Sequence, residues 1–315
     1  MTLMYGTAIG DISHIPIIAG PTASGKTSLS LALAQRIDSE ILSCDSMQIY
    51  KGMDIGTAKA NASEMETVSH KLIDIIEPTS TFSVADYVQL AYVEIKKTLQ
   101  KGKLPIFCGG TGQYISALYE GISFSSIAIS ESVRQEVIQL YESDNGKTAY
   151  EELCRVDPES AEKIHPNNAK RVIRALEFFL ESQIPISVHN ANSKNNGPRY
   201  PFKVFVIDVD RMILYQRIDS RVDQMIQNGL LDEVRKLIDH YGELSITASQ
   251  AIGYKEIISH FNGEISLAAA IDLIKQRSRN YAKRQITWYK KIPNAVWIKP
   301  DQLEVLIDSI CLDFA

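Results

Sequence analysis

The stretch Gly20-Pro21-Thr22-Ala23-Ser24-Gly25-Lys26-Thr27 decides how this chain folds. It fits G-x-x-x-x-G-K-[ST], a loop whose backbone N–H groups wrap phosphate oxygens. The lysine reaches the same charges, and the Ser/Thr hydroxyl is available to Mg²⁺. The flanking sequence completes the unit. The apolar run Ile15 to Ala19 reads as a strand, and Ser28 to Ile37 reads as a helix whose N-terminal dipole points at the anion. The motif states that a phosphate chain is bound and leaves open what is done with it.

Working outward, Glu40 to Cys44 reads as the next strand of a parallel sheet, ending in Asp45-Ser46-Met47-Gln48. Residues just beyond the carboxyl ends of such strands line the ligand crevice, so topology alone puts Asp45 near the phosphate loop. His70 to Pro78 reads as a short strand, and Ser83 with Asp86 as the capping box of a helix continuing to Leu99. Leu104 to Cys108 is a third clear strand, turning off into Gly109-Gly110-Thr111-Gly112. A nucleotide triphosphatase usually needs a second carboxylate for Mg²⁺ at such a strand end. Its absence here counts against transfer of a γ-phosphate, while a small-molecule or nucleoside kinase stays open as the alternative.

Glu131 to Tyr141 and Ala149 to Cys154, either side of an Asn145-Gly146 turn, read as helices of a lobe inserted into the α/β core. A further helix starts at His165-Pro166-Asn167-Asn168, where either asparagine can cap, and runs to Leu180. Pro185 to Pro201 is rich in Asn, Ser, Gly and Pro and reads as a mobile loop. Phe202 to Ile207 then returns to the sheet, which sets Arg211 beyond a strand end, where a second cation could meet a diphosphate. The rest reads as helices over Met212–Asn228, Leu230–Tyr241, Ile252–Phe261 and Ser266–Lys291. The expected division is a core over 1–122, an insert over 123–200 and a return to the core over 201–315.

At 315 residues, 45% apolar and 23% charged, the composition is that of a globular protein. No run approaches the ~18 apolar residues of a membrane span, and Met1 to Gly10 lacks a secretory pattern, so a cytoplasmic protein is expected. Widely spaced Cys44, Cys108, Cys154 and Cys311 read as buried structural thiols, and the lack of an oligomerisation pattern favours a monomer. The net charge of −5 gives no global attraction to a polyanion, so any nucleic-acid surface must be a local patch. One candidate is KQRSRNYAKRQITWYKK at 275–291, whose Lys275, Arg277, Arg279, Lys283, Arg284, Lys290 and Lys291 meet no acid. Lys170, Arg171 and Arg174 form another.

Each of these has a plainer reading beside it. The basic helices can be solvated faces, with Arg171 or Arg174 paired to Glu177. Asp45 is either a turn cap or an acid or base, Gln48 can offer its amide to a base edge, and Thr111 can cap a helix or hold a reacting group.

Together, these motifs resemble the bacterial tRNA dimethylallyltransferase family, also called tRNA delta(2)-isopentenylpyrophosphate transferase. The matching stretches are GPTASGKT at 20–27, DSMQIYKGMDIGTAK at 45–59, GGTGQY at 109–114, IHPNNAKRVIRALE at 164–177, LYQRIDSRVDQMIQNGLLDEV at 214–234, QAIGYKE at 250–256 and KQRSRNYAKRQITWYK at 275–290. The resemblance implies an α/β fold like that of P-loop kinases, a parallel-sheet core with helices on both faces and an inserted all-helical lobe. It implies Mg²⁺-dependent transfer of a dimethylallyl group from dimethylallyl diphosphate to N6 of the adenosine just 3′ of the anticodon, in tRNAs reading codons that begin with U. It also implies roles. Asp45 would be the general base and Thr111 a tRNA contact at the reaction centre. Gly20, Pro21, Thr22, Ala23, Ser24, Gly25, Lys26, Thr27 and Arg211 would hold the diphosphate, with Thr27 on the metal. The tRNA anticodon stem-loop would meet Asp45, Ser46, Met47 and Gln48, then Lys170, Arg171, Val172, Ile173 and Arg174. Further contacts would come from Lys275, Gln276, Arg277, Arg279, Tyr281, Lys283 and Arg284, and Arg134 would brace the swung-out base. Departures from the family pattern, at Ser69, Gln113, Asn168, Ser278 and Tyr289, remove no charged group from this centre.

Overall fold

The computed structural model describes residues 14–124, 129–193 and 197–311. Met1 to Gly10 and residues 194–196 of the loop expected over 185–201 lie outside them. The chain opens with β1 (Ile15–Ala19), α1 (Lys26–Arg36), β2 (Ser39–Ser43), α2 (Ala62–Thr67) and β3 (His70–Lys71). It continues through α3 (Val84–Gln100), β4 (Leu104–Gly109) and α4 (Gly112–Glu120). Five helices follow: α5 (Glu131–Glu142), α6 (Lys147–Val156), α7 (Pro158–Lys163), α8 (Ala169–Ser182) and α9 (Ile186–Asn192). The return comprises β5 (Phe202–Ile207), α10 (Arg211–Gln227), α11 (Leu230–Tyr241), α12 (Ile246–Ser249), α13 (Tyr254–Phe261), α14 (Leu267–Tyr289), β6 (Val296–Ile298) and α15 (Leu303–Cys311). By contacts the chain divides into two compact units, Met1–Tyr119 with Arg199–Ala315, and Glu120–Pro198.

In the first unit the strands form one parallel sheet in the order β3-β2-β4-β1-β5-β6. Every residue of β1 and β2 is buried, as a parallel sheet covered on both faces requires. Ile18, Ile41, Ile106, Phe205 and Ile207 pack with Leu29 and Leu33 of α1 and Leu306, Ile307 and Ile310 of α15. Their alternates Ile17, Leu42, Phe107, Val204 and Val206, also buried, point to the opposite face. A second cluster joins Tyr50 and Met53 to α10, α11, α13 and α14.

In the second unit, Val137, Tyr141, Leu153, Val172 and Leu176 form a separate small core. Asn145 and Gly146 both take positive φ, making the expected turn.

The structure departs from the sequence reading at several elements. The strand expected over His70–Pro78 stops at Lys71, because Leu72 and Asp74 adopt φ of 61° and 52°, which no strand accommodates. The loop expected over 185–201 contains α9, held by Ser187, whose N and Oγ donate to the Asp157 carboxylate at 3.0 and 2.6 Å. Asn168 is the N-cap of α8 but caps through no side-chain hydrogen bond. Of the cysteines, Cys44 is buried and Cys108 half-buried, whereas Cys154 is exposed. Among the described residues no helix is long and apolar enough to cross a membrane.

Candidate active site

The phosphate loop leaves the end of β1 and feeds α1, whose N-cap Gly25 offers no side-chain hydrogen bond. The first N–H groups of that helix are therefore open to an anion. Two further features fit a phosphate. Ala23 is held at φ 62°, and the buried Ser24 hydroxyl has no hydrogen-bond partner. Lys26 Nζ donates to the Pro21 carbonyl at 2.8 Å, folding the ammonium over the loop, where burial lowers it to about 8.

The loop borders a cavity of about 350 Å³. Thr22, Lys26, Thr27, Asp45 and Arg221 give it a polar lining, and Met47, Val222, Met225, Ala251, Ile252 and Ile274 an apolar one. Arg221 enters from α10 and donates through Nη1 to Thr22 Oγ1 at 3.0 Å. Burial lowers its proton affinity and the Asp45 charge works against that lowering. Sequence reasoning missed this residue and nominated Arg211 instead. Arg211 lies at the exposed start of α10, donates to Tyr215 Oη at 3.1 Å and lies over that ring; it does not line the cavity.

Asp45 follows β2, and its two readings turn out to be compatible. Oδ1 accepts from the Met47 N–H at 2.9 Å, closing the turn, while the residue still lines the cavity. The segment is clamped from β4: Thr111 Oγ1 accepts from Ser46 N at 2.9 Å and donates to Ser46 Oγ at 3.2 Å, and Thr111 N donates to the Cys44 carbonyl at 3.0 Å. The two strand ends touch through main chain alone, since a Cβ on Gly109 would stand 2.2 Å from the Cys44 carbonyl oxygen. Gln48 lines the same cavity with its amide already engaged within the chain. Its Oε1 accepts from Ser43 Oγ at 2.9 Å and its Nε2 donates to the Thr57 and Ala58 carbonyls at 3.4 and 3.3 Å.

Helix α14 closes another wall. Tyr281 and Arg284 line the cavity, and Arg284 lies over the Tyr281 ring. Buried Gln285, also missed from sequence, accepts from Thr22 N at 2.9 Å and donates to the Gly110 carbonyl at 2.8 Å. Tyr289 Oη donates to the carbonyls of Gly110 and Gly20 at 2.9 and 3.3 Å. An amphipathic repeat gives no warning that Gln285, a polar residue on the buried stripe, is tied to two loops distant in sequence.

The basic face of α14 is less free than its sequence implies. Lys275 pairs with Asp223 at 2.6 Å, Arg279 with Asp219, and Arg277 with buried Glu256. Gln276, Lys283 and Arg284 are exposed. In the second unit Lys170, Arg171 and Arg174 are exposed, but Val172 is fully buried in the core there and cannot meet an external ligand; Ile173 packs against the same core. Glu177 pairs at 3.3 Å with Arg134 rather than with the arginines of its own helix.

Among the described residues no cluster of three or more His, Cys, Asp or Glu could cage a metal. That donor set still fits Mg²⁺, which keeps several waters and binds through few protein oxygens together with substrate phosphates. Thr27, on the cavity beside the unpaired N–H groups of α1, offers one such oxygen.

The sequence profile described as IPP transferase matches residues 48–292. A tRNA dimethylallyltransferase of Acetivibrio thermocellus is 46% identical over 293 residues, 93% of this chain and 94% of that protein. One from Geobacillus thermodenitrificans is 44% identical over 299 residues, 94% of each. The crystal structure of the full-length tRNA isopentenylpyrophosphate transferase from Bacillus halodurans superposes with a TM-score of 0.71 at 39% identity, covering 96% of this chain and 97% of that one. A eukaryotic dimethylallyltransferase acting on tRNA gives 0.79 at 28% identity, covering 92% of this chain and 75% of that one. With the phosphate loop, the Asp45 turn and the helical insert in one chain, this protein belongs to the IPP transferase family of tRNA dimethylallyltransferases.

Proposed function

We propose that this chain transfers a dimethylallyl group from dimethylallyl diphosphate to N6 of the adenosine adjacent to the 3′ side of the anticodon, in tRNAs reading codons that begin with U, and releases diphosphate. The observation that carries the reading is a single cavity in which a phosphate loop with two cations, the Asp45 carboxylate and an apolar lining occur together. A diphosphate joined to a short hydrocarbon needs the first and the last of these. A proton-shedding acceptor needs the second.

An exocyclic adenine amine is a poor nucleophile because its lone pair is delocalised, and it loses a proton as the C–N bond forms. Asp45 takes that proton, held in place by the Met47 N–H on its other oxygen. As the allylic C–O bond weakens, charge gathers on the leaving diphosphate. The open N–H groups of α1, Lys26 and Arg221 stabilise it. Thr27 would hold Mg²⁺, which would supply further neutralisation of the leaving group when bound. Arg221 takes the place that sequence reasoning gave to Arg211. Ile252, Ile274 and Met225 keep water from the electrophilic carbon. The adenine reaches Asp45 by leaving its stack, at a cost lowered by its position in a loop. Exposed Lys170, Arg171, Arg174, Lys283 and Arg284 meet RNA phosphates.

The test is mass analysis of nucleosides from an anticodon stem-loop incubated with the protein, dimethylallyl diphosphate and Mg²⁺. One dimethylallyl substituent on the adenosine 3′ to the anticodon is expected, and none when that adenosine is replaced. Label passing to an acceptor from γ-phosphate-labelled ATP, with no prenylated nucleoside, would overturn the reading in favour of a kinase.

A further inference from the structure

Gln285 joins two loops with a single amide. Thr22, whose N–H it accepts, belongs to the phosphate loop. Gly110, to whose carbonyl it donates, precedes Thr111, and the Thr111 hydroxyl holds the segment carrying Asp45. A side chain ending in both an acceptor and a donor is required. A glutamate would set a second acceptor against the Gly110 carbonyl, and a methionine would leave the Thr22 N–H without a partner. The contact is tight from the other side as well, because a Cβ on Gly110 would stand 2.3 Å from Gln285 Nε2. The glycine and the amide are halves of one contact. Tyr289 also donates to the Gly110 carbonyl, so that oxygen stays satisfied if Gln285 is replaced and the local fold has a second support.

We propose that Gln285 is a positioning residue that sets the phosphate loop in register with the Asp45 turn, so that the donor carbon and the acceptor nitrogen meet in line. The inference rests on the prenyl-transfer reading above. Gln285 acts on alignment, because its amide oxygen is engaged by Thr22 N and its amide nitrogen by the Gly110 carbonyl. Misplacement of reacting groups by 1 Å costs up to about 100-fold in rate, and that sets the scale of the effect.

The experiment compares the wild-type chain with Q285M, Q285E, G110A and the Q285M/G110A double variant. Each is assayed with dimethylallyl diphosphate, Mg²⁺ and an anticodon stem-loop, well below its melting temperature. The expected result is a kcat lowered roughly 30- to 100-fold in each single variant. Donor affinity by calorimetry and RNA affinity by fluorescence anisotropy should each stay within about threefold, the split that marks an effect on the reacting state. The double variant should lose no more than its worse parent, because both substitutions undo the same contact. A merely structural residue would lower the melting temperature and leave kcat intact. Turnover within about threefold of wild type in Q285M and G110A overturns the proposal, as does an additive loss in the double variant. If Q285M does not fold, Q285E and G110A decide on the same criteria. A wild-type chain that prenylates nothing overturns the prenyl-transfer reading and the role of Gln285 with it, whereas active wild type beside unimpaired variants overturns the role of Gln285 alone.

Discussion

The proposed mechanism gives Asp45 two jobs, one for each oxygen, and a substitution can separate them. Asn retains an oxygen to accept from Met47 N but cannot take a proton, so D45N should keep the turn and lose kcat by about 10²- to 10⁴-fold, with RNA affinity within a few-fold by anisotropy. The two arginines divide in the same way. Arg221 reaches the phosphate loop, so R221A should raise the donor KM roughly 10- to 100-fold, the scale of a lost charge-assisted hydrogen bond. R211A, which removes only the hydrogen bond and stacking contact with Tyr215, should leave that KM unchanged. Steady-state kinetics at saturating RNA check both. Lys26 gives the site a pH dependence of definite sign. Its ammonium, lowered to about 8 by burial, is raised when a diphosphate arrives. Donor affinity should therefore be flat below pH 8 and fall about tenfold per unit above it, measured by calorimetry.

Asp157 shows the same economy at the level of elements. Its carboxylate caps α7 through Ser160 N at 3.1 Å and also receives both Ser187 groups at the start of α9. Removing it in D157A should cost about 2 kcal/mol or more in the inserted unit, one cap plus buried donors left unpaired. Amide exchange in α7 and α9 should then accelerate by about 30-fold. The dependence of α9 on this contact explains why it was illegible in sequence. Ile186-Ser187-Val188-His189-Asn190-Ala191-Asn192 is poor in helix formers, and the helix exists through Asp157 and the Phe178–His189 ring contact. The sheet was legible because β1, β4 and β5 are largely apolar runs with turn residues at their ends, and Ile41 and Leu42 mark β2 beside them. β6, three residues long, and α15 carry no such signal and form by adding to β5 and α1. The strand-end rule placed Asp45 on the cavity, whereas Arg211 does not line it. The arginine that does line it, Arg221, sits ten residues further along α10, about 15 Å away, where only the helix delivers it.

Taken whole, the protein carries −5 and yet meets a polyanion. Ion pairs with Asp219, Asp223 and Glu256 consume part of the basic sequence of α14, so fewer cations reach RNA than its composition suggests. If the five exposed cations named above neutralise four or five phosphates, the logarithm of RNA affinity should fall against that of salt with a slope of about −3. A fourfold rise in salt then weakens RNA binding roughly 60-fold, read by anisotropy. Charge reversal at Arg171 should make the slope shallower by about one unit.

The contact between Gly109 and the Cys44 carbonyl also bears on how such a protein can diverge. The spacing of Asp45 and Thr111 is written in the lack of a side chain, and any replacement at position 109 would drive two strands of the sheet apart. Descendants of this sequence can alter Met47, Met225 or Ile274 and so remodel the cavity one side chain at a time, but the origin from which the cavity is measured cannot drift. Variation is thereby channelled into the walls, while the spacing of Asp45 and Thr111 is inherited intact.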